Sequence, residues 1–312
     1  MLDGPGLTVL TGATARRVVT NNHAVTGVEY TDAEGLPRIA RSAEVVLCAG
    51  TLRTPHLLML SGIGPAGELA ARGIEVAADL PGVGRNLHDH PIVAAGWPVT
   101  QGETWADAAS PENTERYATC RRGPLASIGQ AAAFLRCGPG APAPDVQLTP
   151  MLMDFTTMAL SGFSCIVTLL TPRSRGSVRL RPGDPHAAPL VDPAYLTDEA
   201  DAQRLIEGVR RALDLGSAAS MRAFIGPENL PKADWDDGRM VSFVRDSLMS
   251  MNHPVGTCRS GTDDASVVDP ELRVHGVRGL HIADASIMPD IARGNTHATA
   301  VMIGERAADL IG

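Results

Sequence analysis

Met251-Asn252-His253-Pro254-Val255-Gly256-Thr257-Cys258-Arg259, read with Arg293-Gly294-Asn295-Thr296-His297-Ala298, is the pair of stretches around which this 312-residue chain is organised. Each sets a histidine in a turn punctuated by Gly or Pro, and the second runs into an apolar helical pattern. Imidazole exchanges a proton near neutral pH. Two imidazoles beside one reacting group divide the duties of general base and hydrogen-bond donor. Spacing alone does not bring them together, and each reads equally well as a turn residue.

Bulk composition narrows the classes. A chain this long buries a large core and fills one large domain or two smaller ones. Apolar content is 44% and net charge is −8, with Lys232 the single lysine, a balance that argues against nucleic acid and anionic membrane as partners. The cysteines, Cys48, Cys120, Cys137, Cys165 and Cys258, are odd in number and fit no zinc or CxxC spacing. Reduced thiols in a cytoplasmic protein are the expectation. No basic-then-apolar leader opens the sequence, and no apolar run reaches the length of a membrane span.

Along the chain, Leu7 to Leu10 reads as a short strand, and Ala15 to Thr20 pairs with Ala24 to Tyr30 across Asn21-Asn22-His23. Arg38 to Arg41 adds an edge. Glu44 to Cys48 is a compact apolar run of the kind found in buried parallel strands. Thr54 reads as the N-cap of a helix with Pro55 in first position, and Pro65 opens a shorter helix that Gly73 closes. Asn86 to Pro91 is a polar loop. Its His88-Asp89-His90 cluster suggests a metal, yet adjacent residues do not converge on one ion, so a structural role is the better reading. Asp145 to Pro150, Ser164 to Thr171 and Ser177 to Arg181 read as strands, with Met151, Met153, Phe155, Met158 and Phe163 as core or pocket residues. Thr197 to Ser217 is the clearest helix. Leu205, Ile206, Val209 and Leu213 share its inner face, Arg204 lies off it, and Asp198, Glu199 and Asp201 fill its first turn. Met240 to Met249 is a second helix, Gly279 to Ala283 a strand, and Ala298 to Ile311 a terminal helix with Ile303, Ala307 and Leu310 facing in.

Several blocks in order carry a family signature: His253-Pro-Val-Gly-Thr-Cys, Gly279-Leu-His-Ile-Ala-Asp-Ala-Ser-Ile-Met-Pro289 and Gly294-Asn-Thr-His-Ala, with Glu44 to Pro65 and Pro81 to Pro91 earlier. Together they resemble the glucose-methanol-choline (GMC) flavoprotein oxidoreductases over nearly the whole chain. The strand, Gly-x-Gly-x-x-Gly turn and helix that hold the ADP part of FAD in that family have no counterpart. Gly62-Ile-Gly-Pro-Ala-Gly67 has the wrong spacing and follows a helix-like run. The resemblance therefore implies an α/β (α+β) chain: an incomplete FAD-binding Rossmann-like domain, residues 1–95 and 256–312, and a substrate domain, residues 96–255, with a mainly antiparallel sheet and flanking helices.

The activity implied is oxidation of a small-molecule alcohol, with the hydroxyl proton going to a base and hydride to flavin N5. His253 matches the family's catalytic histidine, and His297 matches a position that holds His or Asn. By the same resemblance, Ala15, Asp284, Ala285, Asn295 and Thr296 contact FAD, and the helix beginning at His297 faces the flavin's developing charge. Asn252, where an aromatic is common, and Ser260, where Met is common, depart from the pattern. Three readings follow: an FAD enzyme completed by a separate or preceding N-terminal half or by a homo-oligomer; a flavin-independent lyase, isomerase or cyclase using the histidines; and a non-catalytic subunit.

Overall fold

The computed structural model describes residues 6–129, 131–184 and 186–311. It begins with an antiparallel meander of β1 (Thr14–Asn21), β2 (Ala24–Thr31) and β3 (Pro37–Arg41). The first turn holds Asn22 and His23 at φ 47° and 57°, the left-handed pair that a two-residue hairpin demands. Residues 7–10, expected to be a strand, are irregular. Leu7, Val9 and Leu10 stand exposed, and among the described residues no neighbouring strand supplies them with a hydrogen-bond ladder.

β4 (Val45–Leu47) then enters the interior and leads to α1 (Gly50–Leu60). A short parallel pair, β5 (Ile63–Gly64) and β6 (Ala78–Asp79), brackets α2 (Ala66–Ala70). β7 (Pro91–Trp97) is followed by α3 (Pro111–Cys120), β8 (Ala133–Leu135), β9 (Val146–Met151) and β10 (Phe163–Leu169). The hairpin of β11 (Ser177–Arg179) and β12 (Leu190–Asp192) leads to α4 (Glu199–Ser217), α5 (Asp237–Ser247) and β13 (Met249–Ser250). β14 (Leu280–Ile282) returns beside β4 in parallel, and α6 (His297–Ile311) closes the described chain. Mixed α and β elements with mainly antiparallel pairing make this an α+β fold.

Two cores form. The first gathers Leu47 of β4, Leu58 of α1, Leu280 and Ile282 of β14, Val255, Cys258, and Ile303 and Ala307 of α6. The second lies under a five-stranded antiparallel sheet of order β13-β7-β10-β9-β8, where Val93, Val146 and Val167 meet Leu205, Val209, Met240 and Val244 of α4 and α5. Helix α4 lies close to that sheet at Gly208. A Cβ there would come within 2.5 Å of Val167 and 2.9 Å of Val146, so only glycine permits the approach. Met153 and Phe163 are buried, and Met158 is exposed.

Three local readings change. β7 runs through residues 91–97, all of them buried, so the 86–91 loop hands directly to a central strand. Pro91 sits at its first position, where the missing N–H is tolerated. Helix α1 begins at Gly50, four residues ahead of Thr54. Its cap is the distant Asp284, whose Oδ2 accepts from Gly50 N at 2.9 Å and from Thr54 Oγ1 at 2.6 Å. Arg204 is buried against expectation. Its guanidinium donates to Asp201 at 2.5 Å and to the Thr171 carbonyl at 2.9 Å, and this pairing offsets the desolvation of the charge.

Pro55 inside α1 has a consequence. Its missing N–H leaves the Thr51 carbonyl without its helical donor, and Thr257 Oγ1 supplies one at 2.5 Å, fully buried. The helix is thereby tied to the turn that carries His253. Thr257→Val keeps the shape and orphans that carbonyl. Stability is expected to fall by about 1–3 kcal/mol, read as a lower urea midpoint at unchanged slope.

Candidate active site

The His253 turn is built on the residue 84–90 loop, and the two run antiparallel. Gly84 N donates to Thr257 O at 2.8 Å, His88 N to Val255 O at 3.0 Å, Val255 N back to His88 O at 2.9 Å, and Met251 N to His90 O at 3.0 Å. On its other side the loop pairs with the start of β11 through Leu87 N to Gly176 O at 3.1 Å and Gly176 N to Leu87 O at 2.8 Å. Gly256 adopts φ +92°, and a Cβ there would lie 2.6 Å from Asn86 O, so this glycine is required for the two segments to meet. Asn252, the departure just before His253, sits at φ 59°. Asn tolerates that left-handed conformation better than an aromatic does.

Asp89 is the hub. Its buried carboxylate accepts from His90 N and His253 N, each at 2.8 Å on Oδ1, and from the hydroxyls of Tyr195 and Ser250 on Oδ2. The backbone of His253 is thus pinned. Its ring meets His90 edge-on, with centroids 5.2 Å apart at 82° and Nδ1 to Nδ1 at 2.9 Å. His90 is itself buried, with Nε2 at 3.2 Å from Leu170 O and 3.1 Å from Ala292 O. Among the described residues nothing hydrogen-bonds His253 Nε2, which is the ring nitrogen left for a ligand.

His297 is the first residue of α6 and is exposed. Among the described residues its ring shares no hydrogen bond or ring stack with His253. The two histidine turns are joined through His90, which holds the Ala292 carbonyl just ahead of the 293–297 turn. Asn295 is exposed and Thr296 buried, and Ala15 lies exposed on β1 opposite Tyr30. Asp284 has both carboxylate oxygens engaged, Oδ1 by Ser286 N at 2.8 Å and Oδ2 by α1. It sits with Ala285 just beyond the carboxyl end of β14, while Ala49 and Gly50 lie just beyond that of β4. Ligands of parallel sheets bind in that crevice.

His90, Asp89, Tyr195 and Ser250 were not singled out from the sequence as site residues. The available signal was an Asp-His pair directly ahead of an unbroken apolar run. His88 takes the structural role read for the cluster. Its Nε2 lies 3.0 Å from Asn86 Oδ1, and its backbone bridges Val255. Among the described residues no three His, Cys, Asp or Glu side chains cluster to suit a metal ion.

Residues 2–92 and 172–304 match the N-terminal and C-terminal family models of GMC oxidoreductase. An uncharacterized GMC-type oxidoreductase of Mycobacterium tuberculosis is 42% identical over 316 residues, spanning 98% of this chain and 60% of the relative. The alcohol dehydrogenase (acceptor) of Pseudomonas putida is 35% identical over 325 residues, 100% of this chain and 59% of the relative. A solved variant of formate oxidase from Aspergillus oryzae, studied for FAD modification, gives a TM-score of 0.90 at 28% identity. That match covers 99% of this chain and 61% of that one. The chain spans about 60% of the length of the curated relatives it matches.

Burial sets the charge of the histidines. His90 is pushed down to about 4 by burial and then by the neighbouring His253, against the pull of the Leu170 and Ala292 carbonyls and Asp89. His88 is likewise pushed to about 4 by burial and the Arg175 charge, opposed by Asp290. His253 is lowered by burial, with Asp89 acting against it. All three are neutral in the folded protein at pH 7. Below the ordinary imidazole value of about 6.5, unfolded chains take up protons that folded His88 and His90 refuse. Stability is therefore expected to be full above about 6.5 and to fall as pH drops toward about 4, by up to roughly 3 kcal/mol for each of the two. Thermal unfolding midpoints across that range check this, and His88→Gln should flatten the fall.

Proposed function

The chain belongs to the GMC oxidoreductase family, and from that premise we propose that it carries the substrate-side machinery for FAD-dependent oxidation of a small-molecule alcohol to a carbonyl, with His253 as the base. The observation that carries this reading is the state of His253: backbone pinned by Asp89, Nδ1 engaged by His90, Nε2 unengaged, and ring neutral at working pH. A base so placed takes the hydroxyl proton on Nε2 as the carbon gives up hydride, a contribution typically worth ~10²–10⁴-fold.

FAD, when bound, supplies the two-electron acceptor. The crevice beyond the carboxyl ends of β4 and β14 fits it, since Gly50 there borders open space where a Cβ would meet nothing within 4 Å. The first turn of α6 carries no acidic side chain, so its unpaired N–H groups are left for a ligand's negative charge. In this reading Ala285, Asn295 and Thr296 border the cofactor. Asp284 supports it by holding the crevice walls together, and Ala15 contributes from β1. His297 donates a hydrogen bond that orients the substrate oxygen.

Residues 1–95 and 256–312 are the flavin side and residues 96–255 the substrate side. The two cores follow this division except near its boundaries and at β11, since Val93 and Ala95 pack in the second core and Leu180 and Val255 in the first. β4 has one strand neighbour among the described residues, and Val46, Val301 and Met302 are exposed. That edge and those side chains are where the ADP-binding part of the sheet would add, from the same polypeptide or a partner chain. Among the described residues no helix is long and apolar enough to cross a membrane. The five cysteines are free thiols, which supports a reducing, cytoplasmic setting.

In the flavin-loaded enzyme, His253→Ala is expected to lower turnover by at least about a hundredfold, with the circular dichroism spectrum unchanged. Wild-type kcat/KM should rise with pH through an inflection below the ordinary histidine value of about 6.5 and then level off, because the base must be unprotonated. Turnover that survives the substitution removes His253 from the chemistry.

A further inference from the structure

We propose that His90 is a positioning residue that fixes the tautomer of His253, so that the proton sits on Nδ1 and the lone pair on Nε2. His90 Nε2 faces two carbonyl oxygens, Leu170 O at 3.2 Å and Ala292 O at 3.1 Å. Carbonyls only accept, so Nε2 carries the hydrogen and shares it between them. His90 is 1% exposed, and burial keeps it neutral. A neutral imidazole has one N–H, so His90 Nδ1 is an acceptor. It faces His253 Nδ1 at 2.9 Å, and that contact is a hydrogen bond only if His253 donates. The remaining nitrogen of a neutral His253, Nε2, therefore holds its lone pair.

An unconstrained histidine side chain prefers the opposite tautomer, with hydrogen on Nε2, which cannot accept a proton from an alcohol. The partner of the second nitrogen ordinarily decides this choice. Here the usual carboxylate or peptide carbonyl is replaced by a second imidazole, itself oriented by two peptide carbonyls. Asp89 fixes both partners by accepting from the backbone N–H groups of His90 and His253. The lock also serves the charged state. When His253 gains the alcohol proton on Nε2, the electrons of the broken O–H bond stay on oxygen. The Nδ1–H to His90 bond becomes charge-assisted and strengthens. The value of the lock for turnover rests on His253 being the base; the tautomer itself does not.

The test is the ¹⁵N spectrum of the histidine rings in the labelled full chain above pH 7, with His253 assigned through His253→Ala. The expected pattern is a protonated Nδ1 and an unprotonated Nε2. In His90→Leu that pattern should shift toward the Nε2–H form. In His90→Asn, whose Oδ1 takes the place of the lost acceptor, it should persist. In the flavin-loaded enzyme kcat/KM should fall about 10–100-fold in His90→Leu, the range seen when outer partners of functional histidines are removed, and recover in His90→Asn. A wild-type spectrum with the lone pair on Nδ1 overturns the lock whether or not the variants fold. A lone pair on Nε2 with turnover indifferent to His253→Ala upholds the lock and sinks the base assignment alone.

Discussion

A buried carboxylate, Asp89, is the constraint from which the rest of the site follows. A charge at 8% exposure costs several kcal/mol unless its lone pairs are filled, and four donors fill them: two backbone N–H groups and two hydroxyls. These donors come from four places in the chain, namely the loop ahead of β7, the segment leading into α4, β13 and the His253 turn. Satisfying one charge thus gathers the five-stranded sheet, the α4 connection and the His253 turn at one point. Burial in a low-dielectric setting strengthens each of these bonds.

A second carboxylate performs the same service for the parallel pair of β4 and β14. Asp284 caps α1 through Gly50 and the 285–287 turn through Ser286, drawing together the carboxyl ends of the two parallel strands. Thr257 adds the third tie, using the carbonyl that Pro55 leaves free in α1. The histidine turn is therefore fixed to both cores, by Asp89 to one and by Thr257 to the other. Relative motion of the cores would displace His253 directly, so the placement of this ring is a property of the whole molecule.

What was legible in the sequence was local or strongly patterned. The first hairpin, the parallel strand at residues 45–47, the long helix α4 with its acidic first turn, and the terminal helix with Ile303 and Ala307 inward all follow from periodicity and capping chemistry. The two histidine turns stood out through their residues and through family resemblance. What was not legible depended on partners hundreds of residues away. Thr54 has the chemistry of a cap, but Asp284 is the better acceptor and arrives 230 residues later. Arg204 carries a charge and was read as outward, until Asp201 and Thr171 converge on it. His90 looked like loop filler because its ring meets residues 170, 253 and 292, none of which a linear reading brings near.

The direct neighbour of His253 also bears on how the site titrates. Two histidines facing one substrate would share protons and titrate as a pair. In the folded chain the imidazole within hydrogen-bond distance of His253 is His90, whose own protonation is pushed down to about 4. Over the neutral range His90 has no proton to exchange at Nδ1 and acts only as an acceptor. The His253 ring then has one fixed partner, and its proton affinity is lowered by burial against the pull of Asp89. His297 lies exposed at the head of α6. The partner of His253 is thus set by the position of one buried imidazole between two loops.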